Sequence, residues 1–284
     1  MKFSLIMATL GRSDETEIFL HSLDLQDYRN FELIIVDQNE ENILESIIDK
    51  YRDKFHIKHI RIKEKGLSLA RNVGMKYVTG DIVAFPDDDC AYSEGILTFI
   101  NKFFKNNNKI DFVTFKLRDK DTQEDSNLKW YDQNVEITYK NIFRTVISPS
   151  IFIKIKSIKD VFFDENLGVG RKYGSGEESD MALELLHRGY RGMYLIDFII
   201  YHPNKKEPMN KIYSYGLGYG AVIKKHVKCR NGNNFVLNYL IKDSIIKSIA
   251  GIIINVFKLD SYGINSYKKR MISRVKGYLE YEID

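Results

Sequence analysis

Residues 81–89 read Asp81-Ile82-Val83-Ala84-Phe85-Pro86-Asp87-Asp88-Asp89. A short apolar run bounded by turn residues reads as a buried strand, and this one stops in three consecutive carboxylates. Upstream, Lys2–Thr9, Phe31–Asp37 and His56–Ile62 read as three further strands. Between them, Asp14–Leu25, Glu41–Lys54 and Leu67–Val78 have helical spacing, the first through Ile18, Leu23, Leu25 and, more weakly, Leu20 around polar positions. Downstream follow a helix over Ser93–Phe104 and a strand over Ile110–Phe115. Strands separated by helical stretches of about 10–15 residues imply βαβ units, an α/β class and a mostly parallel sheet.

Open sheets of this kind bind ligands at the carboxyl ends of their strands. Thr9, Asp37 and the triplet Asp87, Asp88 and Asp89 are therefore expected along one rim. Adjacent carboxylates repel by roughly 1 kcal/mol per pair even in water. A hard divalent cation or the hydroxyls of a ribose would offset that repulsion. A solvated acidic turn is the structural alternative, since Asp is favoured in turns.

The length of 284 residues fits two domains, or one α/β domain with a helical appendage. An apolar content of 44% with 29% charged residues excludes a disordered chain, a collagen and a coiled-coil rod. The two cysteines, Cys90 and Cys229, cannot build a disulfide framework and fit free thiols in a reducing compartment. The apolar run at Met1–Ala8 is too short for a signal peptide and passes into the first strand. The best candidate for a membrane span, Ile245–Phe257, is too short and carries Lys247. The expectation is a cytoplasmic protein, peripheral at the inner face of the cell membrane.

That peripheral placement comes from charge. Residues 204–284 hold 15 Lys+Arg against 6 Asp+Glu, whereas residues 1–203 hold 28 against 33. A basic tail on an acidic body suits a polyanionic partner, nucleic acid or an anionic membrane, or else simply solvated helix faces. No zinc-finger spacing or RNP-type aromatic pattern supports nucleic acid, so none is expected as a partner.

Beyond residue 117, Arg118–Gln133 reads as a polar surface loop and Ile142–Ile155 as β-branched strands. Glu177–His187 has helical spacing and Arg191–His202 is β-rich. From Pro208 the text is helical, through Lys228, then Phe235–Leu259, then Tyr267–Tyr281. Gly216-x-Gly218-x-Gly220 has no strand before it, so it is not a dinucleotide fingerprint. Each glycine costs a helix about 1 kcal/mol, which points to close packing or a loop.

Three ordered motifs carry a resemblance. Asp87-x-Asp89 after Gly80-Asp81-Ile82-Val83-Ala84-Phe85 is similar to the DxD site of GT-A glycosyltransferases, specifically glycosyltransferase family 2. Leu25-Gln26-Asp27-Tyr28-Arg29-Asn30-Phe31-Glu32-Leu33-Ile34-Ile35-Val36-Asp37 resembles that family's second-strand motif. Gly66-Leu67-Ser68-Leu69-Ala70-Arg71-Asn72-Val73-Gly74 resembles its third-helix entrance. The likeness covers roughly residues 3–203. It implies a GT-A domain over residues 1–203, with a nucleotide-sugar half at 1–117 and an acceptor half at 118–203. Residues 204–284 then form a basic helical extension.

The resemblance implies roles for individual residues. Asp37 would contact the nucleotide base, with Thr9 lining the same pocket, and Arg71 and Asn72 would sit near base and sugar. Asp87 would meet sugar or ribose, Asp88 is grouped with it as substrate-binding, and Asp89 would bind a metal. The first motif departs: the family usually has Pro-Thr-Tyr-Asn-Arg where Ala8-Thr9-Leu10-Gly11-Arg12 stands, though Arg12 is kept. Gly174-Ser175-Gly176-Glu177-Glu178-Ser179-Asp180 places three carboxylates ahead of an apolar helix, where acids also simply favour the helix dipole. The family has its acceptor-activating carboxylate in Gly-Glu-Asp-x-Asp. Glu178 takes that Asp's place, one methylene longer, with Asp180 as the second candidate. His202, after Leu195–Tyr201, would complete a site for Mn²⁺ or Mg²⁺.

The activity implied is an inverting, metal-dependent hexosyl transfer from a nucleotide-diphosphate sugar to a saccharide or lipid-linked oligosaccharide, in bacterial surface polysaccharide synthesis. The departures at Ala8, Gly11 and Glu178 leave a second reading, a nucleotide-sugar binding or scaffold protein without turnover. In the last helix Met271, Val275, Tyr278 and Leu279 fall at helical spacing among Lys268, Lys269, Arg270, Arg274 and Lys276. Such a stripe either docks on an anionic leaflet or packs on the protein.

Overall fold

Phe3–Thr9 (β1), Phe-Ser-Leu-Ile-Met-Ala-Thr, is buried at every position, as is Phe31–Asp37 (β2). Strands covered on both faces need such continuous apolar runs. His56–Arg61 (β3) instead alternates between exposed and half-buried positions, as befits an edge. In this computed structural model residues 1–125, 128–158, 160–205, 207–229 and 234–283 are described, 228 and 229 for their backbone alone. The pairing state of Cys229 therefore lies outside the described side chains, whereas Cys90 is a buried free thiol.

The helices between these strands are Asp14–Asp24 (α1), Glu45–Asp49 (α2) and Leu67–Met75 (α3). Ile82–Ala84 (β4) follows, then the short Ala91–Tyr92 (β5), Ile96–Asn106 (α4) and Phe112–Arg118 (β6). Val135–Ile137 (β7), Phe152–Lys154 (β8), the single turn Ile155–Ile158 (α5), Glu177–His187 (α6) and Gly192–Tyr201 (β9) complete the sheet region. The sheet order is β3-β2-β1-β4-β8-β6-β9-β5, with β7 paired to β9. β3, β2, β1 and β4 are mutually parallel, as are β6 and β9, while β8 runs antiparallel to both its neighbours. The sheet is thus mixed and mostly parallel.

The aromatic content is used in the core. The Phe152 ring meets Phe3, Tyr92 and Phe115 at centroid separations of 6.4, 5.5 and 6.0 Å. Gly74 lets α3 approach β1, since a Cβ there would fall 2.4 Å from Ile6 Cγ2.

Ile142–Ile155, expected as strands, is strand only at β8. Ser148-Pro149-Ser150 forms a tight 3₁₀ turn, because proline presets the turn dihedral and withholds its amide from a ladder.

The chain divides into two compact units. Met1–Lys65, Leu69–Phe162 and Glu184–Asn204 form one, and it holds the whole sheet. Gly66–Ser68, Phe163–Leu183 and Lys205–Asp284 form the other. The second unit contains Met209–Cys229 (α7), Asn234–Tyr239 (α8), a π-helical segment Leu240–Ile246, Lys247–Phe257 (α9) and Ser261–Glu280 (α10).

The glycines of α7 are sites of close packing within a continuous helix. A Cβ on Gly216 would fall 1.8 Å from Ser273 Oγ, one on Gly220 would fall 2.0 Å from the Arg274 carbonyl oxygen, and one on Gly218 would fall 2.1 Å from that of Ser175. α10 starts at Ser261, earlier than its apolar spacing suggests, because Asp260 caps it by accepting from the Gly263 amide at 3.0 Å.

Candidate active site

The parallel register sets the rim. Thr9 pairs with Asp37, Asp37 with Arg61, and Ala8 forms an isolated bridge to Asp87. The carboxyl ends of β1, β2, β3 and β4 therefore bring Thr9, Asp37, Arg61 and the aspartate triplet to one edge of the first unit.

Asp37 is fully buried. It accepts from the Asn39 amide at 2.8 Å and from Asn39 Nδ2 at 2.7 Å, in a tight local turn. His59 Nε2 lies 2.9 Å from its other oxygen, and Arg61 Nε lies 3.9 Å away. Asn39 also ties down the loop after β1: its Oδ1 accepts from the Gly11 amide at 2.6 Å. Gly11 sits at φ +73°, a left-handed conformation that glycine adopts without a Cβ penalty. The departure from the usual motif at this position thus shapes a turn that presents Arg12.

Arg12 faces the triplet. Its Nη1 is hydrogen-bonded to the buried Asp88 and lies 3.0 Å from Asp89 Oδ2. Burial pushes the Asp88 carboxyl up to about 6, against the opposing pull of Arg12. Asp87 pairs with Arg71, whose Nη2 is 2.9 Å from Oδ1. Asn72, the next residue of α3, is half-buried. His202 Nε2 stands 3.4 Å from Asp89 Oδ1. Burial alone would lower the His202 imidazole, but the hydrogen bond to Asp89 and the charges of Asp87 and Asp89 outweigh it and raise it.

Each aspartate of the triplet thus has its own surroundings. Asp88 turns inward to hold Arg12, while Asp87, Asp89 and His202 each offer one ligand atom, all within 4.8 Å of one another. Two carboxylate oxygens and one imidazole nitrogen suit Mn²⁺, and Mg²⁺ less closely.

In the second unit Glu178 is half-buried in the first turn of α6. Asp180, two residues on in the same first turn, is buried and accepts from Lys225 Nζ at 2.9 Å and His226 Nε2 at 2.8 Å. Lys225 also reaches Asp164 at 2.8 Å, and Asp164 accepts from the Tyr281 hydroxyl. Asp180 therefore anchors α7 through two cationic or polar partners.

Asn39, His59 and Arg61 escape a reading of the sequence by motif. For His59 and Arg61 the signal lies in strand parity, since they stand two apart on β3 and so face one side at its carboxyl end.

A model of the family described as Glycosyl transferase family 2 matches residues 4–162. The minor teichoic acid biosynthesis protein GgaB of Bacillus subtilis is 29% identical over 150 residues, covering 50% of this chain and 17% of that protein. The poly(ribitol-phosphate) beta-N-acetylglucosaminyltransferase TarS of Staphylococcus aureus is 26% identical over 215 residues, covering 73% of this chain and 36% of that protein. The chain thus spans little more than a third of the longer match and less of the other. Among solved structures, TarS residues 1–349 in complex with UDP-GlcNAc superpose at a TM-score of 0.60 with 18% identity, covering 98% of this chain and 91% of that one. The mannosyltransferase PcManGT of Pyrobaculum calidifontis, in complex with GDP-Man and Mn²⁺, superposes at 0.70 with 13% identity, covering 99% and 88%. At these identities the structural matches establish a shared GT-A fold.

Proposed function

The chain belongs to glycosyl transferase family 2, and from that premise we propose that it is an inverting transferase working at the inner face of the cell membrane. It moves a hexose or N-acetylhexosamine from a nucleotide-diphosphate sugar to a hydroxyl of a surface polymer or its lipid-linked precursor. The observation that carries this reading is the convergence of Asp87, Asp89 and His202 at the carboxyl ends of parallel strands. The names of the relatives GgaB and TarS support a teichoic-acid-like acceptor.

Asp87, Asp89 and His202 would hold a divalent cation, Mn²⁺ or Mg²⁺. When bound, such an ion supplies Lewis-acid stabilisation of a diphosphate leaving group. The rest is the work of the chain's own residues. Asp37, fixed by Asn39 and His59, presents a buried carboxylate to the donor base beside Thr9. Arg71 fixes Asp87, and Arg12, held by Asp88, fixes Asp89. Glu178 accepts the proton of the acceptor hydroxyl as that oxygen attacks the anomeric carbon. Asp180, held by Lys225 and His226, is the second candidate for this task. One displacement inverts the anomeric centre.

Incubation with UDP- and GDP-sugars, Mn²⁺ and a polyol-phosphate acceptor tests the reading. Sugar incorporation supports it. Donor binding without transfer to any acceptor would instead favour a binding protein without turnover.

A further inference from the structure

α9 is turned inside out. Along the helical run from α8 to α9, the residues facing the protein are Val236, Leu240, Ser244, Ser248 and Gly251. The last three are small or polar. A Cβ on Gly251 would fall 2.5 Å from the Tyr267 ring, so this side is pressed against α10. The opposite side carries Ile246, Ile249, Ile253, Ile254 and Phe257, with Leu259 just beyond. Ile253 is 51% exposed, Phe257 85% and Leu259 90%. A helix that packs on its own protein normally shows the reverse arrangement.

Charge identifies the occupant of this face. The ten residues Ser248–Phe257 include no charged side chain, and Lys247 and Lys258 bracket them. The two lysines stand about 16 Å apart along the helix. Lys242 is exposed on the preceding turn. The one acid in this stretch, Asp243, already pairs with Lys247. A second copy laid parallel on the face would set Lys258 against Lys258, and one laid antiparallel would set it against a Lys247 whose acid is already taken by pairing. A bilayer interface meets both demands: its acyl boundary takes the isoleucines and Phe257, and its anionic headgroups take the lysines.

We infer that the outward face of α9, with Phe257 and Leu259 at its end, lies in the interface of an anionic membrane. The lysine-bracketed stripe is a docking element and does not span. No helix among the described residues is long and apolar enough to cross a membrane. The docking face differs from the stripe expected on α10. There Met271, Val275 and Tyr278 are half-buried and Ser273 and Gly277 are buried, so α10 is committed to packing, though Leu279 is exposed. The inference deepens the proposed membrane placement but does not rest on sugar transfer. A chain that docks and fails to transfer would remove the proposed activity and leave the docking face standing.

Flotation of the full chain with phosphatidylcholine vesicles, and with vesicles in which about a third of the lipid is phosphatidylglycerol, tests it. The chain is expected to float with the anionic vesicles and to be released by high salt. Ile253→Ser with Phe257→Ser should cut the floated fraction roughly tenfold without lowering the melting transition, because both side chains are already exposed. Lys247→Gln with Lys258→Gln should remove the preference for anionic lipid. Phe257→Trp should shift its emission to the blue on anionic vesicles, above the unchanged background of buried Trp130. The inference is overturned if the Ser double variant floats like the parent. It is equally overturned if the chain floats on neither vesicle, or if it sediments as a dimer that the Ser double variant dissociates.

Discussion

Arg71 Nη2 lies 2.9 Å from Asp87 Oδ1, and Arg71 is 1% exposed. A buried guanidinium held against a partly exposed aspartate fixes the first carboxylate of the triplet at the sheet rim. Breaking a fully buried pair by removing one partner costs about 3–5 kcal/mol, and the partial exposure of Asp87 reduces that. Arg71→Met should therefore cost about 2–3 kcal/mol in urea unfolding, with Arg71→Lys intermediate. A change below the scatter of the measurement for Arg71→Met would mean that the pair has no structural role.

The packing of α7 on α10 gives a second prediction, with a sign opposite to helix propensity. Exchanging a helical glycine for alanine normally gains about 1 kcal/mol. At Gly277 the added Cβ would stand 2.1 Å from the Leu217 carbonyl oxygen. Gly277→Ala should thus lower the melting temperature, by an amount equivalent to about 1–3 kcal/mol. A raised melting temperature would show that the two helices can part freely.

Glu32 carries a pH dependence. Its burial would raise the carboxyl, but hydrogen bonds from Lys2, Ser4 and Thr79 outweigh that and lower it to about 2. In the unfolded chain it returns to the ordinary carboxyl range. A depressed folded value stabilises above the unfolded value and is lost as pH falls towards the folded one. Stability should therefore decline between about pH 5 and pH 2, by roughly 2–3 kcal/mol from this group. Glu32→Gln should flatten that part of the curve, measured by denaturant unfolding across the range. An unaltered slope would contradict the assignment.

The proposed role of Glu178 can be tested apart from donor binding. Glu178→Gln removes a proton acceptor with little change of volume. Transfer should fall on the order of 10²-fold or more while donor affinity holds. Normal turnover in Glu178→Gln, with loss in Asp180→Asn, would move the proton acceptor to Asp180.

The sheet was legible because its strands are continuous apolar runs that stop abruptly in polar residues, as Phe31–Asp37 does. α6 was legible at both ends, since Glu177 opens an acidic first turn and His187 closes the apolar spacing. Ile142–Ile155 misled because β-branched residues there are buried by turns around Pro149 as well as by a strand. At the site, strand ends and family likeness point to Asp89 and His202 as a metal pair and to Asp87 as a sugar or ribose contact, whereas the structure sets a ligand atom of Asp87 within 4.8 Å of theirs. The partnership of Arg12 with Asp88, and that of His59 with Asp37, did not follow from either. The first follows a left-handed turn at Gly11 and the second the register of β2 with β3, neither of which a motif along the chain encodes.

The central claim is that Asp87, Asp89 and His202 bind a divalent cation that the nucleotide-sugar donor shares. Calorimetric titration of UDP and GDP into the full chain, with Mn²⁺ and with excess chelator, tests it most directly. The account predicts that Mn²⁺ tightens one of the two nucleotides by roughly tenfold or more, about 1.4 kcal/mol, and that Asp89→Asn abolishes this gain while the fold persists. Equal nucleotide affinity with and without Mn²⁺, or an undiminished metal effect in Asp89→Asn, would contradict it.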